Sequence, residues 1–233
     1  MSAPQPLAAR VDQLNKRIAR ACEAAGRSPD CVTLLAVSKT RSSAEIEQAV
    51  SASIQRFGEN YLDEAAAKQD ELALSGLEWH FIGPIQSNKT RAIAERFDWV
   101  QSVDREKIVR RLGEQRSGDK PALNVALQVN IDREPQKAGC EPEAVEQLAR
   151  QVAGFASLKL RGLMAIPSAE NPPGRTRAAF ARMRALFESL AADHAGVDTL
   201  SMGMSGDLEE AIAEGTTMVR IGTALFGPRG EAG

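Results

Sequence analysis

The feature that most limits the fold is an alternation running almost the whole length of the chain: short apolar segments of strand composition, separated by stretches of helical periodicity. Strand-like segments fall at 32–37, 54–57, 79–82, 99–103, 123–130, 160–166, 199–202 and 218–221. Helical patterns occupy 61–74, 88–97, 104–115, 142–153, 177–192 and 208–214. A further helix follows the first strand, where Ser42 and Glu45 have the spacing of a capping box and the pattern runs to about Val50. Eight strands alternating with helices, in slightly fewer than the usual ~250 residues, point to an α/β protein built as a single (β/α)8 TIM barrel. No GxGxxG follows the first strand, which argues against a dinucleotide-binding open sheet. Leu7, Val11, Leu14, Ile18 and Cys22 have helical spacing and precede the first strand, so the barrel is expected to carry an extra N-terminal helix. The Asn171-Pro172-Pro173-Gly174 segment reads as a loop, because the alternation continues beyond it; residues 1–233 are expected to form a single domain.

Composition narrows the partners. The chain has 233 residues, 43% hydrophobic and 26% charged, enough for a sizeable core. Its net charge is −2 and its basic residues are dispersed, so no nucleic-acid footprint is expected, and small molecules are the favoured partners. The stretch from Met1 to Arg10 has no apolar core of a signal peptide, and no apolar run reaches bilayer length. A cytoplasmic protein without membrane attachment is the expectation. Cys22, Cys31 and Cys140 are odd in number and lack CxxC spacing, so free thiols are expected and no metal site is implied.

The chemistry concentrates at the end of the first strand, in Leu34-Leu35-Ala36-Val37-Ser38-Lys39-Thr40. Val37 and Lys39 share a face under period-two alternation, which would turn the lysine into a closed sheet. One reading is a Schiff-base lysine; the other is a strand-end lysine reaching solvent. Barrel closure sets the eighth strand beside the first, making Arg220 a neighbour of Lys39 at the C-terminal mouth. The loops after strands seven and eight, where barrels commonly bind phosphate, read Met202-Gly203-Met204-Ser205-Gly206-Asp207 and Gly222-Thr223. Glycines admit an anion to the backbone, and Ser205 and Thr223 offer hydroxyl donors. Together these features suit a phosphorylated aldehyde, and pyridoxal 5'-phosphate fits well, with Arg220 toward its pyridine nitrogen. A competing reading pairs Arg220 with a carboxylate such as Glu59.

Six segments, LLAVSKT (34–40), FGENY (57–61), WHFIGPIQSNK (79–89), LRGLMAIP (160–167), LSMGMSGDLEEAI (200–212) and VRIGTALFG (219–227), closely resemble the pyridoxal phosphate homeostasis proteins. The resemblance spans nearly the whole chain and implies a fold like the N-terminal barrel of alanine racemase. It also implies pyridoxal 5'-phosphate held as a Schiff base on Lys39, and a role in cofactor buffering and supply without an established reaction. By motif, Arg220 matches the arginine at the pyridine nitrogen, and Ser205, Gly222 and Thr223 match the phosphate loops. Met204 and Gly203 match positions that lend backbone or packing. Asn60 and His80 match motif positions at the ends of strands two and three, where a helix cap and a hydrogen-bonded core histidine are the competing roles.

A carrier is favoured over an enzyme. Alanine racemases take a second base, a tyrosine, from an additional β-domain, whereas the single tyrosine here, Tyr61, falls in the helical stretch after strand two. An arginine opposite the ring nitrogen also disfavours protonating it, leaving a poorer electron sink. The expected form is a monomer, with cofactor-dependent apo-enzymes as recipients. A racemase or decarboxylase on the same cofactor, and a Schiff-base aldolase acting on a sugar phosphate, are the alternatives. Lys137, in the polar loop after strand five, is a candidate to exchange with Lys39.

Overall fold

In a computed structural model, which describes residues 5–72, 74, 76–168 and 174–228, eight parallel strands close into a barrel in sequence order. The strands are β1 (Thr33–Val37), β2 (Arg56–Glu59), β3 (Glu78–Phe81), β4 (Trp99–Val103), β5 (Leu123–Gln128), β6 (Leu158–Met164), β7 (Thr199–Ser201) and β8 (Met218–Ile221). Closure comes from β8 pairing in parallel with β1, with Leu35 opposite Arg220 and Ala36 opposite Ile221. The (β/α)8 architecture expected from the alternation is therefore present. Residues 171–173 of the expected loop after strand six lie outside the described residues.

The N-terminal helix, α1 (Leu7–Ala24), buries the stripe Leu7, Val11, Leu14, Ile18 and Cys22. Helix α2 (Ser43–Ser51) starts with the complete capping box, Ser42 accepting from the Glu45 amide while the Glu45 carboxylate accepts from that of Ser42. The later helices are α3 (Leu62–Leu72), α4 (Thr90–Arg96), α5 (Glu106–Gln115), α6 (Val145–Ala153), α7 (Arg175–Asp193), α8 (Leu208–Ala213) and α9 (Thr223–Phe226). The expected helix at 142 opens with a 3-10 turn, Pro142–Ala144, before α6 begins at Val145. Side chains from α1 tie down the last βα units: Arg10 Nε donates to the Leu225 carbonyl at 2.7 Å and Arg17 Nη1 to the Ser205 carbonyl at 2.9 Å.

Sequence expectations shift at several elements: strand six, expected at 160–166, runs Leu158–Met164, and strand three, expected at 79–82, runs Glu78–Phe81. The second strand was expected at 54–57 but begins at Arg56, because Ile54 ends the preceding turn with its amide on the Ala49 carbonyl. The move carries Glu59 and Asn60 to the C-terminal end of β2. Trp79 packs on Phe57, with ring centroids 5.6 Å apart, in the layer between barrel and helices, as expected for both tryptophans. Trp99 departs from that expectation: it stacks on His80 at 5.1 Å and lies against residues that face the barrel interior. That interior is partly polar, with Gln101, Ser201 and Arg220 packed beside Leu35 and Met218.

Candidate functional site

Lys39 stands two residues beyond β1 rather than on it, in a turn that is fixed from behind. Ser38, fully buried, donates its hydroxyl to Glu59 Oε1 at 2.6 Å. The ammonium of Lys68 on α3 donates to the Ser38 carbonyl at 2.7 Å, to Glu59 Oε1 at 2.7 Å and to Glu64 Oε1 at 2.5 Å. Glu64 Oε1 also accepts from the Thr40 amide at 2.5 Å. Thr40 holds φ at +61°, a left-handed conformation that is costly for a β-branched residue and persists only where its surroundings enforce it. Thus Ser38 and Thr40 are both anchored by one buried cluster, and the residue between them is left to point into the mouth. Lys39 Nζ makes no hydrogen bond or ion pair among the described residues. Burial raises the Glu59 carboxyl above its ordinary range, more than its bonds to Lys68 and Ser38 lower it, and its Oε2 has no hydrogen-bond partner among the described residues.

Arg220 enters from β8 with only 4% of its surface exposed. Nη1 donates to the Ser201 carbonyl at 2.7 Å and to Ser201 Oγ at 2.8 Å; Nη2 donates to the Ala165 carbonyl at 2.8 Å. These three bonds leave part of the guanidinium's five-donor fork without a protein acceptor among the described residues. Burial lowers its pKa to about 10, opposed by the more distant charge of Asp207. The alternative pairing with Glu59 is not made, because Glu59 is committed to Lys68 and Ser38.

Lys39 and Arg220, far apart in sequence, line one cavity of about 310 Å3, within the ~300–1,000 Å3 range of small-molecule sites. Val37, Ile82, Ile166 and Met204 provide apolar walls, and Ser205, Gly206, Gly222 and Thr223 form the side built by the loops after β7 and β8. The hydroxyls of Ser205 and Thr223 and the backbone N–H groups of Ser205, Gly206 and Thr223 find no acceptor among the described residues. Asn60 also lines the cavity, and its Oδ1 is buried without a hydrogen-bond partner among the described residues. Gly83 fixes that residue's backbone, since a Cβ at position 83 would collide with the Asn60 carbonyl.

The other sequence candidates lie outside. Gly203 does not line the cavity; at φ +93° it turns the chain so tightly that a Cβ would come within 2.5 Å of Ala211 Cβ, and its carbonyl accepts from the Arg220 amide. His80 is fully buried in the barrel interior, away from the cavity lining. Lys137 pairs with Glu134 at 2.8 Å and does not line it either. Tyr61 is 55% exposed and borders a separate hollow with Asp63 and Lys89. Ile82 and Ile166 fall inside motifs read from the sequence, and Gly206 inside the loop after strand seven, but none was given a role of its own; the fold places all three in the lining. Larger hollows of about 430 and 560 Å3 lie between Glu106 and Phe155 and beside Pro29 and Gln55, and neither joins an amine to a buried guanidinium.

Free thiols fit the cysteine count: Cys22 and Cys140 are buried and Cys31 is exposed, none in a disulfide. Among the described residues no group of His, Cys, Asp or Glu is placed to hold a metal ion, and no helix is long and apolar enough to cross a membrane.

Comparison with known proteins agrees with the fold. The alanine racemase N-terminal domain family matches residues 10–230. The pyridoxal phosphate homeostasis protein of Pseudomonas aeruginosa is 56% identical over 223 residues, covering 96% of each chain. That of Escherichia coli strain K12 is 47% identical over 226 residues, 96% of this chain and 97% of its own. The structure of PipY from Synechococcus elongatus PCC7942 with pyridoxal phosphate bound superposes with a TM-score of 0.83 at 36% identity, covering 95% of this chain and all of PipY. With a barrel, a mouth lysine and a near full-length match of this kind, the chain belongs to the pyridoxal phosphate homeostasis protein family, built on the alanine racemase N-terminal domain.

Proposed function

We propose that this protein is a single-domain, monomeric carrier that binds pyridoxal 5'-phosphate as a Schiff base on Lys39 and takes part in intracellular supply and buffering of the cofactor. The cofactor supplies an aldehyde that condenses reversibly with a primary amine, releasing water. The observation that carries the reading is the pairing, across one cavity, of an unpartnered amine on Lys39 with a buried guanidinium on Arg220 that has donors to spare. Ser205, Thr223 and the adjoining glycine backbones are assigned to the phosphate, Arg220 to the ring nitrogen, and Asn60 to a polar group on the ring. Met204 is assigned to packing, Gly203 to shaping the phosphate loop, and Gly222 to close backbone approach. The fit is chemical: an anion meets unfilled N–H and O–H donors, and an acceptor nitrogen meets an unfilled guanidinium.

A carrier is favoured over a racemase by what surrounds the amine. Among the described lining residues the titratable side chains are Lys39 and Arg220, so nothing there stands ready as a second base across from Lys39. Tyr61 follows Asn60 directly but is not part of the lining. Apo-enzymes that use the cofactor are the proposed recipients, in the cytoplasm.

The test is the visible absorbance of purified protein incubated with pyridoxal 5'-phosphate, followed by borohydride reduction and peptide mapping. The expected adduct is on Lys39, and Lys39→Ala is expected to abolish the absorbance while leaving the thermal transition in place. A full-strength adduct in that variant moves the role to another lysine, Lys137 first. Turnover of amino acids by the loaded protein at enzyme-like rates would replace the carrier with a racemase or decarboxylase.

A further inference from the structure

His80 is invisible from the cavity, yet it is joined to Arg220 by an unbroken file of hydrogen bonds through the barrel interior. Arg220 Nη1 reaches Ser201 Oγ at 2.8 Å, and Ser201 Oγ reaches Gln101 Oε1 at 2.7 Å. Gln101 Nε2 reaches His80 Nδ1 at 2.8 Å, and His80 Nε2 reaches Glu78 Oε1 at 2.8 Å. Ser201, Gln101 and His80 are all fully buried, so none of these groups exchanges its partner for water. The file crosses from β8 through β7, β4 and β3, and ends at a carboxylate that also pairs with Arg56 at 3.1 Å.

The polarity of the file is determined by counting protons. A guanidinium only donates, so Ser201 Oγ accepts from it and must spend its own hydrogen elsewhere. Gln101 Oε1 is the acceptor in reach, which turns the amide nitrogen toward His80 and leaves its second hydrogen for Met218 Sδ at 3.1 Å. Nδ1 of His80 therefore accepts, and the imidazole is neutral with its proton on Nε2, donated to Glu78. Reversing the amide would leave the Ser201 hydrogen without an acceptor and demand a proton on Nδ1. Stacking on Trp99, with the planes 13° apart, holds the ring in the required orientation.

We propose that His80, Gln101 and Ser201 are positioning residues that fix the Arg220 guanidinium beneath the cavity, so that both Nη1 hydrogens are consumed by the protein and the free donors face the mouth. This assigns His80 a role at the site without contact to any ligand, and it accounts for a histidine at that motif position. The effect on cofactor binding rests on the function proposed above; the state of the file itself does not.

The test therefore has two arms. In protein without cofactor, nitrogen-15 NMR of His80 is expected to show one neutral form protonated on Nε2. The Arg220 guanidinium hydrogens are expected to exchange about tenfold faster in Ser201→Ala and in His80→Phe, the scale of one lost hydrogen bond. His80→Asn, whose amide oxygen can stand near the place of Nδ1, is expected to restore slow exchange. In the second arm the dissociation constant for pyridoxal 5'-phosphate is expected to rise about tenfold in His80→Phe and to recover in His80→Asn, following the exchange rates. A proton on Nδ1 in the wild type, or unchanged exchange in Ser201→Ala, overturns the proposal even if His80→Phe fails to fold. Absence of cofactor binding by the wild type overturns the proposed function instead, and the exchange arm still decides the file.

Discussion

Lys68 and Arg220 are both buried cations near the same end of the barrel, and they are satisfied in opposite ways. Lys68 has two carboxylates and a carbonyl around one ammonium, so each of its three donors is taken. Arg220 has two carbonyls and a hydroxyl, touches no carboxylate among the described residues, and keeps donors free. Burying a charge is expensive unless it is paired, so the two sites have different origins. The first is closed and structural, bracing the turn that presents Lys39. The second holds a charge that the protein alone leaves incompletely compensated, which is how a binding group differs from a brace.

The comparison is broken most severely by removing the brace. Lys68→Met leaves Glu59 buried and unpaired, and is expected to cost about 3–5 kcal/mol in urea unfolding at neutral pH. Adding Glu59→Gln is expected to recover much of the loss. Because burial already raises the Glu59 carboxyl, the variant's folded state would hold a proton that its unfolded state releases above the ordinary carboxylate range. Its deficit should therefore shrink at acidic pH and grow as pH rises. A loss under about 1 kcal/mol, the value of surface pairs, would make the cluster ornamental.

The binding side is sharpened by smaller changes. Combining Ser205→Ala with Thr223→Val is expected to weaken pyridoxal 5'-phosphate binding by about 1–3 kcal/mol, measured by equilibrium titration, with little change in melting temperature. Inorganic phosphate as competitor should lose affinity in parallel; unchanged affinity would remove those two hydroxyls from the phosphate contact.

The smallest effect is expected from pH. Burial pushes the His80 imidazole below its ordinary 6.5, outweighing the pull of Glu78 and Asp98, while Arg56 pushes in the same direction as burial. Since the folded pKa is depressed, the unfolded chain takes up a proton first as pH falls. The contribution of His80 is complete above 6.5 and is lost as pH drops toward its folded value. Wild type should therefore lose stability more steeply below that pH than His80→Asn, and equal slopes would show the ring titrating freely.

Much of the barrel and half of the site's logic could be read before any coordinates, because alternation and closure are properties of pattern. Once eight strands are counted, Lys39 and Arg220 must meet. What escaped is set by contacts between segments. Ile54 has strand composition, yet the hydrogen bond from its amide to Ala49 places it in a turn and starts β2 two residues later. The Lys68–Glu64 spacing suggests an ordinary helix-surface pair, and nothing local reveals that Glu59 joins it from a neighbouring strand. His80 could be assigned to strand three, but a strand of four residues does not disclose its height inside a barrel. Gly206 and Gly203 share one motif, and only the fold separates the one that borders the cavity from the one that bends the loop.

The seam between β1 and β8 also orders events in time. The amine is synthesised with the first strand and the guanidinium with the eighth, so a growing chain carries one without the other until the barrel can close. Under the proposed function, ligand capture would wait for that closure, since a chain lacking its eighth strand would offer a reactive aldehyde the lysine without the guanidinium.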